Sequence, residues 1–207
     1  LMVNGKLTML ALFDKPDPLE GPYFEETIYI TPSRKSIEIQ NSIRNMAEQA
    51  ANSIGLKEGP LHIELRLHPN TRTSNKTGPC VIDMAARSIG GLCSRSLQFS
   101  DGLTLEDIIL HHAIGKPIET NRENKASGVM MIPIPKAGIL KRVDGTLDAQ
   151  SVPGITDITI SSTVGKQLLP LPEGNKYLGF IFAKADQPDE VEAALRTAHS
   201  KLNFQII

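Results

Sequence analysis

The chain has 207 residues, 40% of them apolar and 22% charged, with a formal net charge of −1. That length and apolar share suffice for one large or two small cores, and the near-balanced charge excludes a basic surface built to hold nucleic acid. No apolar run approaches the roughly 20 residues of a membrane span, no signal-like segment opens the chain, and a cysteine count of 2 points to a reducing, cytoplasmic compartment.

Residues 2–6 read as a strand, a turn and a second strand entered partway, and residues 6–13 alternate as a strand. Residues 14–22 are broken by Pro16, Pro18 and Pro22 into a loop, and residues 27–31 are a β-branched strand. Pro32-Ser33 signals a helix start. Ile39, Ile43, Ala47, Ala50 and Ile54 then recur at helical spacing until Gly55 ends the run, which predicts a helix packed on a sheet. Two strands follow, at 61–67 and 81–86, joined by a polar surface loop over 68–79. Residues 92–97 begin a short helix, and residues 103–115 form another, with Thr104 as cap and Gly115 as stop. The polar, proline-interrupted stretch 116–125 is the expected linker. Beyond it, strands are expected at 129–135, 155–161, 168–171 and 177–185, and a final helix at 188–202 with Asp186 as its cap.

Chemistry concentrates in the paired strands. Each carries one carboxylate, Glu64 and Asp83. A lone carboxylate in a half-buried strand is costly unless charge meets it, and two brought side by side by a hairpin make a hard-oxygen site suited to Mg²⁺ or Mn²⁺. Arg87, four residues past Asp83, is placed by strand alternation on the same face, where a guanidinium can grip phosphate. Spacing alone leaves a second reading open, in which Glu64 or Asp83 pairs with Arg66 or Arg87 in a structural salt bridge. His62 points to the face of Glu64 and is a candidate site neighbour, although a packed or hydrogen-bonded histidine is the preferred reading. Cys80 reads as a packed strand thiol. Cys93 follows the pair Gly90-Gly91 and reads as a buried thiol in preference to a nucleophile, with no histidine at catalytic spacing. Arg95 is a candidate for a substrate carboxylate. Lys15, Glu25 and Glu26 could reach phosphate or metal from the loop side, although exposed, solvated charge is the preferred account. His111 and His112 point about 100° apart on a helix and do not share an ion.

The run from Leu61 to Arg95 resembles the metal-binding end of the ATP-grasp fold. In that family two acidic residues on adjacent antiparallel strands hold the magnesium ions that bridge nucleotide phosphates. The resemblance matches Glu64 to the first ligand, Asp83 to the second, where glutamate is commoner, and Arg87 to the arginine that follows. Ala85 stands where the family often has asparagine. The pattern acidic-x-Ala-Ala-Arg-x-Ile-Gly-Gly, here Asp83 to Gly91, is similar to carboxylate-amine ligases of the bacterial L-amino-acid ligase type. Residues 13–26 resemble the loop before the last catalytic strands, and residues 126–207 resemble the same ligases' C-terminal domain.

The resemblance implies an α+β fold: the C-terminal lobe of an ATP-grasp domain, an antiparallel sheet with packed helices, over residues 1–115, a linker at 116–125, and a small β-rich α+β domain over 126–207. It implies ATP as cosubstrate, Mg²⁺ or Mn²⁺ as cofactor, and a carboxylate (an amino acid is one option) and an amine as substrates, joined through an acyl phosphate. Glu64 and Asp83 would be metal ligands, Arg87 catalytic, and Gly90, Gly91 and Arg95 substrate- or phosphate-binding. His62, Cys93 and Lys15 would be neighbours. No GxGxxG or GxxxxGK[ST] run occurs, and nothing supplies the nucleotide-fold domain or the glycine-rich flap. The chain is therefore expected to be a C-terminal part that is inactive alone, forms a homodimer or works with an N-terminal half. The other expectation is a noncatalytic module. Neither nucleic acid nor membrane is an expected partner.

Overall fold

The computed structural model describes residues 1–18, 25–68 and 78–207. In chain order the hairpin β1 (Met2–Val3) and β2 (Lys6–Leu7) precedes β3 (Ile28–Thr31) and α1 (Ile37–Ser53). The strands β4 (His62–His68) and β5 (Gly78–Ala85) come next, then α2 (Leu105–Ala113). After these follow β6 (Ala126–Ile132), β7 (Gly138–Asp144), α3 (Thr146–Gln150), β8 (Ile155–Ile160), β9 (Gln167–Leu168), β10 (Gly179–Ala185), α4 (Pro188–Lys201) and β11 (Asn203–Ile206). All pairings between these strands are antiparallel.

Two compact units result, one comprising residues 1–12 and 33–123, the other 13–32 and 124–207. In the first, Asn4 and Gly5 both take positive φ and close the β1–β2 turn. The helix α1 buries Ile43, Ala47 and Ala51 and lies against β5. Its start is not at Pro32-Ser33. Ser36 is the N-cap, with its hydroxyl accepting from the Ile39 N–H at 3.5 Å. The expected Thr104 cap of α2 is present as a reciprocal box: the Asp107 N–H donates to Thr104 Oγ1 at 3.1 Å, and Thr104 N–H donates to Asp107 Oδ2 at 2.9 Å.

In the second unit β3, β6, β10 and β8 form a four-stranded sheet in that order. Every residue of β6 is buried. The helix α4 covers one face, setting Val191, Leu195 and Ala198 into a core with Ile30, Met130, Ile132 and Ile181. Gly128 makes this approach possible, because a Cβ there would stand 2.7 Å from Tyr29 O and 2.8 Å from Val191 Cγ1. The open edge of β3 is covered in part by Asp14, whose N–H donates to Ile30 O at 2.8 Å and whose carbonyl accepts back at 3.0 Å. Residues 8–13 thus do not continue β2 as alternation predicts. A smaller sheet, ordered β11, β7, β9, closes the unit. Neither β7, α3 nor β11 is expected from the sequence. The cap of α4 is Gln187, not Asp186, which pairs instead with Lys125.

Candidate functional site

The β4–β5 ladder sets Glu64 directly opposite Asp83. Directly opposed strand residues have Cβ atoms about 5 Å apart, so two carboxylates there repel unless a cation lies between or beside them. One residue further the register slips: Leu65 pairs with Val81, leaving Ile82 as an extra residue on β5, 55% exposed. This is a β-bulge, a device that shifts the phase of one strand relative to its partner. Burial along β5 records it. Pro79 is buried, Val81 and Met84 are half-buried, and Cys80, Ile82 and Asp83 are exposed. The inward positions of β5, which lies against α1, are thus 79, 81 and 84, with the extra step between the last two.

The bulge corrects the expectation for Cys80. Simple alternation from Asp83 puts Val81 outward and Cys80 inward; the structure opposes Cys80 to Arg66 and exposes its thiol. One face of the hairpin therefore presents His62, Glu64 and Arg66 from β4 with Ala85, Asp83 and Cys80 from β5. His62 Nε2 lies 3.9 Å from Glu64 Oε1, and both side chains are largely covered, 15% and 22% exposed.

Arg87 lies beyond the end of β5, so strand alternation does not reach it. Its N–H donates to Ala85 O at 2.8 Å in a bend, and Nη1 donates to Ser88 O at 2.7 Å. The guanidinium passes over Gly90, where a Cβ would lie 3.7 Å from Nη1. Gly91 and Leu92 both take positive φ, turning the chain into a short 3-10 segment, Cys93–Ser96. Cys93 is buried at its start, its thiol donating to Gly91 O at 3.6 Å. Arg95 is exposed on the same turn. Lys15 belongs to the other unit, where it pairs with Glu26 and lies 5.0 Å from the centre of the Tyr29 ring; the Tyr29 hydroxyl also donates to Glu26. Burial pushes the Glu25 carboxyl above its ordinary range. His112 Nε2 lies 3.2 Å from Glu58 Oε2, and His111 takes no part in that pair.

Among the described residues no three metal-ligating side chains converge. Two adjacent carboxylates fit Mg²⁺ held in the manner of nucleotide enzymes, where one or two carboxylates, phosphate oxygens and water complete the shell. The arrangement offers hard oxygen donors at Glu64 and Asp83 and guanidinium charge at Arg66, Arg87 and Arg95. Arg66 is the residue that sequence reasoning undervalued, having entered only as a salt-bridge partner; its place two residues from Glu64 on one strand was the available signal.

This hairpin and its sheet are those of the ATP-grasp fold. Residues 1–96 match the family model for the ATP-grasp domain, and residues 130–206 match the model described as L-amino acid ligase C-terminal domain 2. The chain is accordingly similar, over its whole length, to L-amino acid ligases: the crystal structure of L-amino acid ligase from Bacillus licheniformis is 26% identical, with a TM-score of 0.83 over 100% of this chain and 50% of that one. Phosphoribosylglycinamide synthetase from Anaerococcus prevotii shares the fold at 18% identity and a TM-score of 0.69, over 88% of this chain and 46% of that one. A curated relative, uncharacterized protein y4rH of Sinorhizobium fredii (strain NBRC 101917 / NGR234), is 20% identical over 78% of this chain and 33% of its own length. The chain thus spans between a third and a half of these proteins. No described helix is long and apolar enough to cross a membrane.

Proposed function

We propose that this chain is the metal- and phosphate-binding portion of a cytoplasmic ATP-dependent carboxylate-amine ligase that forms an amide or peptide bond. In this reading residues 1–115 supply the C-terminal part of the catalytic domain, 116–125 a linker and 126–207 the ligase C-terminal domain, whose sheet takes in β3. The observation that carries the reading is the register that sets Glu64 against Asp83. These carboxylates would hold Mg²⁺, which when bound neutralises phosphate charge.

In the reaction a substrate carboxylate oxygen attacks the γ-phosphorus of ATP, and the bond from that phosphorus to the bridging oxygen breaks to release ADP. The amine nitrogen then attacks the acyl carbon of the acyl phosphate, phosphate leaves, and the nitrogen loses a proton. Arg87 would bind the phosphoryl group in transit, because a guanidinium matches two phosphate oxygens at once. Gly90 and Gly91 offer backbone without side chains beside that guanidinium, and Arg95 would take the substrate carboxylate. Such chemistry needs positioning and charge more than covalent help from the protein. Among neighbouring positions, His62 orients Glu64; Cys93 is a packing residue under the turn.

A titration of the chain with ATP and Mn²⁺, beside the Glu64→Ala/Asp83→Ala variant, tests the reading. Metal-dependent binding that disappears in the variant supports it. Equal binding by both proteins defeats it. A second reading is that of a noncatalytic module or a split subunit requiring a separate N-terminal partner. It predicts no nucleotide binding until such a partner is added.

A further inference from the structure

We infer that Arg66 is a second anion-binding residue of the hairpin face: it offsets the Glu64–Asp83 carboxylates when no cation is present, and grips the oxyanion that a divalent cation brings. The inference rests on the metal reading above and assigns a role to a residue outside the acidic pair and the Arg87 turn.

Three observations lead to it. Arg66 follows Glu64 by two positions on a strand without a bulge of its own, so its side chain leaves from the same face about 7 Å along. The bulge at Ile82 shifts β5 and opposes Arg66 to the small thiol side chain of Cys80. Without that step the position opposite would fall to the branched Val81, which would then face outward while Cys80 turned inward. Finally, Arg66 is exposed, in contrast to the largely covered Glu64, so a ligand in solution can reach its guanidinium.

The electrostatics assign the role. Two opposed carboxylates raise the local negative potential, and the neighbouring guanidinium lowers it. A divalent cation at the pair removes that need and leaves positive charge in excess. A guanidinium beside it then meets a polyphosphate with paired N–H donors, a geometry that an ammonium cannot copy. Arg66 thus opposes the bare cation slightly and favours the cation-polyphosphate complex.

The test separates these two effects in the full chain. Mn²⁺ binding is followed by the loss of the free-ion electron paramagnetic resonance signal, and ADP binding in saturating Mn²⁺ by equilibrium dialysis, for the natural chain, Arg66→Gln and Arg66→Lys. Arg66→Gln is expected to bind Mn²⁺ alone as tightly as the natural chain or more so, and to bind ADP with Mn²⁺ about tenfold more weakly, the effect of one charge-assisted contact. Arg66→Lys should recover only part of that loss. Parallel weakening of both constants in Arg66→Gln would reveal a structural residue and overturn the inference. So would an unchanged ADP constant, with the metal reading left standing. No Mn²⁺ binding by the natural chain would overturn the metal reading and this inference together.

Discussion

The sheet under α4 and the β4–β5 hairpin are built by the same antiparallel pairing and serve opposite ends. In β6 every residue is buried, and the positions facing α4 are Ala126, Gly128, Met130 and Ile132, which only packing explains. In β4 and β5 charged residues share the ladder with apolar ones, and a bulge interrupts the register next to the two carboxylates. A strand buried on both faces has its sequence dictated by volume. The hairpin spends its outer face on charge and holds its shape through register alone, with α1 beneath it. The proposed metal site and most of the buried core therefore fall in different sheets, and substitutions should separate them.

The largest effect is expected at Leu195, fully buried in α4. Leu195→Ala should cost about 2–5 kcal/mol in urea unfolding, through lost burial and a residual cavity. Gly128→Ala follows, at about 1–3 kcal/mol, because the added methyl meets backbone at Tyr29 and the Val191 side chain with little room to yield. Thr104→Ala should remove the reciprocal cap of α2 and cost about 0.5–2 kcal/mol, read by faster amide exchange in the first turn of that helix. At the hairpin the order reverses. Asp83→Asn should shift stability by only about 0.5 kcal/mol, since Asp83 is exposed, while removing Mn²⁺ binding. A large stability loss there would contradict the division of labour.

Acid should weaken the second unit through two groups, while the half-buried Glu25 carboxyl, raised in the folded chain, acts in the opposite sense. Burial holds the His199 imidazole below its ordinary value of 6.5, so the unfolded chain takes up the proton first and stability falls as pH drops below that value. Burial tends to raise the Asp17 carboxyl, but hydrogen bonds from Thr27 and Arg196 and the charge of Arg196 outweigh it, leaving Asp17 below its ordinary range. Its contribution is present above 3.8 and is lost as pH falls further. Unfolding followed from pH 7.5 downward should therefore show a first decline near neutrality and a second in strong acid. The first should vanish in His199→Gln.

What could be read from the sequence divides along the same line. Ile43 and Ala47 of α1 follow from periodicity, and the cap at Thr104 from side-chain chemistry, because both are local; the last turn of the stripe does not, since Ala51 is buried there and the expected Ile54 is 58% exposed. The opposition of Glu64 and Asp83 was legible as far as a hairpin could be guessed. The bulge was not, since it exists only as a mismatch between two strands, and with it went the exposure of Cys80. The strand β7 was missed because Lys141 and Arg142 interrupt its alternation on an exposed face. The strand β11 was missed because its only buried residue is Ile206, past the end of a strong helix.

Asp17 also marks the path of the chain. Residues 13–32 leave the first unit, lay β3 along β6, and return before α1 begins. On the ribosome this strand emerges long before the one it must pair with: Ile28 waits for Met130, with the whole β4–β5 hairpin made in between. The sheet that carries most of the buried core thus draws its strands from both sides of the 116–125 stretch, so any cut there parts β3 from β6, β10 and β8. An order of assembly is written into the thread: the hairpin can form while β3 is still without its neighbour, and β3 is secured only once β6 has been made.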